Sequence, residues 1–197
     1  MSGWEYLAVV LSMAYLLLAL KQSLWCWPAA FISTLIYTLL FYQGALLMES
    51  ILNIYYMAMA AYGWYCWHRG GLLTHQTEEL PIQSWSNQIH FRVVCITFAV
   101  AMGLGFIMDS YTHADYAYLD STTTCFSIVA TYLVAKKVLE NWIYWVIIDG
   151  LSMYLFVSKG FYPTTVLFGF YTIMSVWGYI SWQDDYSQQQ NASPNPT

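Results

Sequence analysis

Seven runs of predominantly apolar residues follow one another along this 197-residue chain, at 4–20, 28–42, 46–67, 91–108, 116–137, 142–157 and 161–182. Each is long enough to cross, or nearly cross, a hydrocarbon layer of about 30 Å as a helix. The second and sixth are short and need their flanking aromatic residues to complete the crossing. The runs are continuous rather than alternating, and in lipid only helices or closed barrels satisfy every backbone polar group, so the expected fold is all-α. Residues 59% hydrophobic and 9% charged fit that solvent; a soluble domain carries about a quarter charged residues.

The start, MSGWEYLAVVLSMAYLLLAL, lacks a basic leader and an A-x-A cleavage site and reads as a retained first span. A polar stretch, 68–90, separates spans three and four, and a polar tail, 183–197, is expected to be disordered. Lys21, Arg69, Arg92, Lys136 and Lys137 fall on one side of the spans and Lys159 on the other, which places the N-terminus outside and the C-terminus in the cytoplasm.

Sliding the chain against itself by 115 residues pairs 8–67 with 123–182. Identities at that offset include Ser12/Ser127, Lys21/Lys136, Trp27/Trp142, Phe41/Phe156, Tyr56/Tyr171, Met59/Met174, Gly63/Gly178 and Trp67/Trp182. Repeat one (4–67) and repeat two (116–182) each hold three helices, with the linker helix 91–108 between them. That is a parallel 3+1+3 arrangement, a transporter architecture with its substrate site near the midplane. The alternative is a duplicated bundle with no pathway.

Polar residues near the centres of spans are candidates for that site, because an unpaired polar group facing lipid costs several kcal/mol. Tyr56 and Tyr171 are repeat partners at the centres of spans three and seven, expected to face each other; Thr34 and Asp149 are partners in spans two and six, and Ser12 and Ser127 in spans one and five. Asp149 is the strongest signal, since an acid at mid-span costs roughly 3 kcal/mol to insert; its alternative is a carboxyl clipping two helices together. Asn53, three residues before Tyr56, offers a donor and an acceptor to a ligand or to a neighbouring helix. W-x-x-W occurs at Trp64/Trp67 and Trp142/Trp145, and Trp182 closes span seven. Residues at i and i+3 share a helix face, so each pair offers an aromatic wall for a flat ring, or an interfacial belt.

Several classes are excluded. There is no basic stripe for nucleic acid, with a net charge of −5. Cys26, Cys66, Cys95 and Cys125 form no C-x-x-C, and no metal or cofactor site is indicated. The chain has no G-x-x-x-x-G-K-[ST], H-E-x-x-H or G-x-S-x-G; His68, His75, His90 and His113 lie in loops or at span ends, and no catalytic residues are assigned. Span seven has no lysine for a retinal Schiff base, although a non-transporting seven-helix receptor still matches the span count. No Lys or Arg enters a span away from its ends, which disfavours a phosphate ester as cargo.

The segment NWIYWVIIDG, the N-x-x-Y of Asn53 and Tyr56, and the closing segments YGWYCW and WGYISW resemble the bacterial nicotinamide riboside transporters of the PnuC family, across residues 4–182. The resemblance implies a fold similar to the sugar carriers called SWEETs, residence in the bacterial inner membrane, and a homotrimer. It also implies facilitated diffusion of nicotinamide riboside, trapped inside by a cytoplasmic riboside kinase. The Pro-Gln dipeptide of SWEET-like relatives is missing, so their hinge chemistry does not carry over. Close relatives carry thiamine or riboflavin, which remain alternatives. Nicotinamide riboside is a pyridinium cation with a carboxamide and hydroxyls, suited to Trp and Tyr faces, to Asn53 and to Asp149.

The lysine and arginine distribution yields the first prediction: a C-terminal reporter fusion will be active in the cytoplasm. Activity confined to the periplasm would reverse the orientation.

Overall fold

The structure, a computed structural model, describes residues 3–43, 47–73, 80–111, 116–158, 160 and 162–192. Seven α-helices make up almost all of it: α1 (Gly3–Leu20), α2 (Cys26–Gln43), α3 (Leu47–Leu73), α4 (Asn87–Tyr111), α5 (Ala117–Ala135), α6 (Asn141–Ser158) and α7 (Tyr162–Ala192). His75, His113, Lys159, the Phe41 side chain and residues 193–197 lie outside what is described.

Each apolar run is a helix, but two polar segments expected outside the helices are partly inside them. α3 continues to Leu73, and α7 continues to Ala192 through the residues expected to form a disordered tail. A helix already nucleated gains a hydrogen bond for every residue added, so it propagates through Gln and Ser that would not start one. Ser187 Oγ donates to the Gln183 carbonyl at 2.9 Å within this extension.

The chain forms two compact units. The first holds Met1–Ile82 with Val134–Lys137 and Asn191–Thr197. There α2 packs on both α1 and α3. The Trp27 ring lies flat on Gly63, where an added Cβ would come within 2.3 Å of it. Trp67, one turn beyond Gly63, meets Trp27 edge to face, centroids 5.3 Å apart at 87°. Ser33 Oγ donates to the Ala8 carbonyl at 2.9 Å and lies 2.7 Å from Ser12 Oγ, clipping α2 to α1.

The second unit holds Gln83–Leu133 and Val138–Gln190. Trp142 lies on Gly178, where a Cβ would come within 2.6 Å of its ring, and meets Trp182 edge to face at 5.4 Å and 88°. These are the partners, at the 115-residue offset, of Trp27, Gly63 and Trp67, and they repeat the same packing. α4 buries only the small residues Thr97, Ala101 and Gly105, spaced by one turn, with Gly105 against Tyr118. Phe91, Ile96, Phe98, Val100 and Phe106 stay exposed along it. α4 is also long and apolar enough to cross a bilayer, whereas the apolar stretches Tyr6–Leu20 and Cys26–Leu40 of α1 and α2 are shorter.

The turns after α1 and α5 are copies as well. Gln22 and Lys137 both take left-handed backbone, φ 53° and 51°. Gln22 N donates to Ala19 O at 3.0 Å and Ser23 N to Leu18 O at 2.9 Å; Lys137 N donates to Val134 O at 2.9 Å and Val138 N to Leu133 O at 3.0 Å. This pair of bonds is a Schellman motif, which satisfies the last helical carbonyls.

The connector before α4 is strapped to the start of α6. Leu139 N donates to Gln83 O at 2.8 Å. The Glu140 carboxylate accepts from Ser84 Oγ and from Trp85 N and lies 3.4 Å from His90 Nε2. His90 Nδ1 is 3.0 Å from the Tyr144 hydroxyl.

The glycine contacts yield a stability prediction. Gly63→Ala and Gly178→Ala will each destabilise the purified protein by about 1–3 kcal/mol, because the ring beneath is held by a second tryptophan and cannot retreat. Gly103→Ala, where nothing lies within 4 Å of an added Cβ, will not destabilise it. Thermal denaturation in detergent measures all three, and equal effects would refute the packing.

Candidate functional site

In the second unit α5 buries the polar residues Ser121, Thr123, Ser127 and Thr131, and α6 buries Asn141, Asp149 and Ser152, the last set including the one buried acid among the described residues. Helical spacing puts Trp142, Trp145 and Asp149 along one side of α6 at i, i+3 and i+7. Asp149 is 4% exposed, and Ser175 Oγ of α7 donates to its Oδ2 at 3.4 Å, a long bond. Ser152, one turn further along α6, is buried too. On α7, Tyr171 lies one turn before Ser175 and is half-buried. Its ring meets Phe168 edge to face at 5.8 Å, and Phe168 stacks on Phe156 at 5.2 Å. Within this one unit, α6 and α7 thus carry a buried acid and two buried hydroxyls, and Tyr171 lies one turn from Ser175 on α7.

The two members of W-x-x-W in α6 part company. Trp142 is 2% exposed, paired with Trp182, and its indole Nε1–H has no hydrogen-bond partner among the described residues. Trp145 packs, half-buried, against the cluster of Ala130, Leu133, Val138, Tyr144 and Ile148. In α3, Trp64 meets the edge of Trp25 at 6.2 Å while Trp67 pairs with Trp27 and donates from Nε1 to the Val134 carbonyl at 3.3 Å. Successive tryptophans thus face different neighbours instead of forming one wall, because a three-residue step rotates the side chain about 60° around the helix.

In the first unit Asn53 and Tyr56 are half-buried on one side of α3, and Tyr56 lies 5.7 Å from the Tyr55 ring. Thr34 turns its hydroxyl to its own helix, donating to Ala30 O at 2.8 Å and Phe31 O at 3.1 Å. The buried hydroxyl of α2 belongs instead to Ser33, whose bond to Ser12 makes Ser12 part of an interhelical clip. Ser127 is buried in α5.

Polar residues outside the sequence-derived site that make contacts of this kind include Ser33, Ser175, Gln22 and Lys137. Ser175 sits one turn from Tyr171, which is the signal that would have found it. Lys137, counted from sequence among the cations on one side of the spans, is 1% exposed, while Lys21, Arg69 and Arg92 are exposed. Its Nζ donates to Gln22 Oε1 at 3.3 Å and lies 4.6 Å from the Trp67 ring centre. Among the described residues no group of three His, Cys, Asp or Glu side chains is placed to hold a metal ion.

The sequence model of the nicotinamide mononucleotide transporter family matches residues 2–184. The nicotinamide riboside transporter PnuC of Escherichia coli (strain K12) is 28% identical, over 77% of this chain and 72% of its own. The riboflavin/roseoflavin transporter RibM of Streptomyces davaonensis is 27% identical, over 88% of this chain and 81% of its own. The crystal structure of the vitamin B3 transporter PnuC matches with a TM-score of 0.74 at 23% identity, covering 95% of this chain and 83% of that one, a likeness of fold.

Proposed function

Because the chain belongs to the nicotinamide mononucleotide transporter family, a family of membrane transporters and not of enzymes, we propose that it carries nicotinamide riboside across the bacterial inner membrane. Two parallel three-helix repeats joined by the linker helix α4 form the carrier. The repeated Trp–Gly–Trp packing and the copied turns support that arrangement. The N-terminus lies outside and the C-terminus in the cytoplasm. The absence of a nucleotide-binding motif supports facilitated diffusion, with a riboside kinase trapping the product and a homotrimer as the assembly.

Asp149 is the observation that carries the substrate. A buried acid whose described donor is one hydroxyl at 3.4 Å gains most from a cationic ligand, and the pyridinium of nicotinamide riboside is one. Tyr171 supplies a ring face on the same helix as Ser175, and Trp142 and Trp145 complete the aromatic surroundings of α6. In the first unit Asn53 and Tyr56 offer the corresponding amide and ring, with Thr34, Trp64, Trp67 and Trp182 as supporting residues. A mononucleotide would bring a phosphate toward an acid, which disfavours it.

A second reading, riboflavin transport, is favoured by the RibM relative, which is almost as similar as PnuC and more fully covered. The isoalloxazine of riboflavin is uncharged, so Asp149 separates the two. Calorimetry on the purified protein will show nicotinamide riboside binding ahead of thiamine, riboflavin and the mononucleotide. Asp149→Asn will weaken it about ten- to a hundredfold, a loss of about 1.5–3 kcal/mol. Tyr171→Ala and Tyr56→Ala will weaken it about tenfold through lost stacking. Binding of riboflavin alone, or wild-type affinity in folded Asp149→Asn, would reject the riboside reading.

A further inference from the structure

The end of α5 does not group with the rest of its helix. Val134–Lys137 fall in the first unit with α1, α2 and α3. Trp67 of α3 reaches the Val134 carbonyl, and Lys137 Nζ reaches both the Gln22 amide oxygen and the face of Trp67. Trp67 is itself fixed by its edge contact with Trp27. The seat for the ammonium is therefore rigid on one side.

Gln22 and Lys137 occupy the same position of two copied turns, one where glycine or asparagine is the usual occupant because the backbone is left-handed. Both positions instead carry long polar side chains, and those two side chains touch each other across 115 residues of sequence. Left-handed backbone at non-glycine residues points toward function where the surroundings hold it in place. A lysine stem ordinarily carries its ammonium to water, yet Lys137 is 1% exposed. Its ammonium donates to the Gln22 amide oxygen at 3.3 Å.

Carriers of this architecture expose their site to the two sides in turn, so contacts closing one membrane face must open while the site faces that side. Lys21 and Lys136, beside the two turns, put this cluster on the face assigned to the cytoplasm. We propose that Lys137 is a transport residue: its ammonium, seated on Gln22 and Trp67, is the latch of the cytoplasmic face and leaves that seat once in each cycle. This rests on the transporter reading above.

Cross-linking tests it. In the full chain with Cys26, Cys66, Cys95 and Cys125 replaced by alanine, Gln22→Cys and Lys137→Cys are joined by a short bifunctional thiol reagent with a reducible link. Exchange of labelled nicotinamide riboside in liposomes is then compared before cross-linking, after it, and after reduction. Exchange will fall about tenfold or more on cross-linking and return on reduction, as expected of a gating contact, while riboside affinity by calorimetry changes far less. Undiminished exchange in the cross-linked protein, or failure of the pair to cross-link, would overturn the latch. A second measurement leaves Lys137 in place: in the unmodified protein, labelling of Lys137 by a water-soluble amine reagent, read by peptide mass, will rise during riboside exchange. Equal labelling with and without riboside would also overturn it. Absence of riboside exchange by the unmodified protein would instead reject the transport reading.

Discussion

In α2 and again in α6, a tryptophan in the first turn lies flat on a glycine of the third helix of its set and meets the edge of a second tryptophan one turn further on. No larger residue fits beneath the ring: an added Cβ would lie 2.3 Å from Trp27 or 2.6 Å from Trp142. Lipid gives helices little hydrophobic reason to associate, so close packing at small residues has to supply it. The interlock fixes how deeply α6 sits against α7, and thereby where Asp149 meets Ser175. It also buries Trp142 against Gly178 and Trp182.

The remaining polar groups divide by what holds them. Ser33 with Ser12 joins two helices through good hydrogen bonds, and the hydroxyls of Thr34, Ser121 and Thr131 turn back to their own helices. These hydroxyls have hydrogen-bond partners within the protein. Among the described residues Asp149 accepts a long bond from Ser175, and Trp142 Nε1 has no partner. Under the proposed function, a cationic ligand completes the stabilisation of this buried acid.

How much of this was legible in the sequence follows from what composition constrains. Continuous apolar runs specify helices, and an acid within one, Asp149, stands out against its neighbours. The copied Trp, Gly and Lys residues pointed to a repeat because such residues rarely match by chance. Helix ends were not legible, since polar Gln183–Gln190 extend a helix as readily as they end one. Nor was rotation: a helix apolar all round has no stripe to mark its inner face, so Thr34 was indistinguishable from the buried Ser33. Lys136 and Lys137 look alike in sequence, but the left-handed turn exposes one partly and buries the other.

The central claim is that the chain is a passive carrier of the riboside cation. Counterflow in liposomes, without nucleotide or any ion gradient, tests it most directly. Vesicles loaded with unlabelled nicotinamide riboside should take up labelled riboside transiently, and unloaded vesicles should fill only to the external concentration. A protein that exchanged riboflavin but not the riboside, or that moved the riboside only under an imposed ion gradient, would contradict the account.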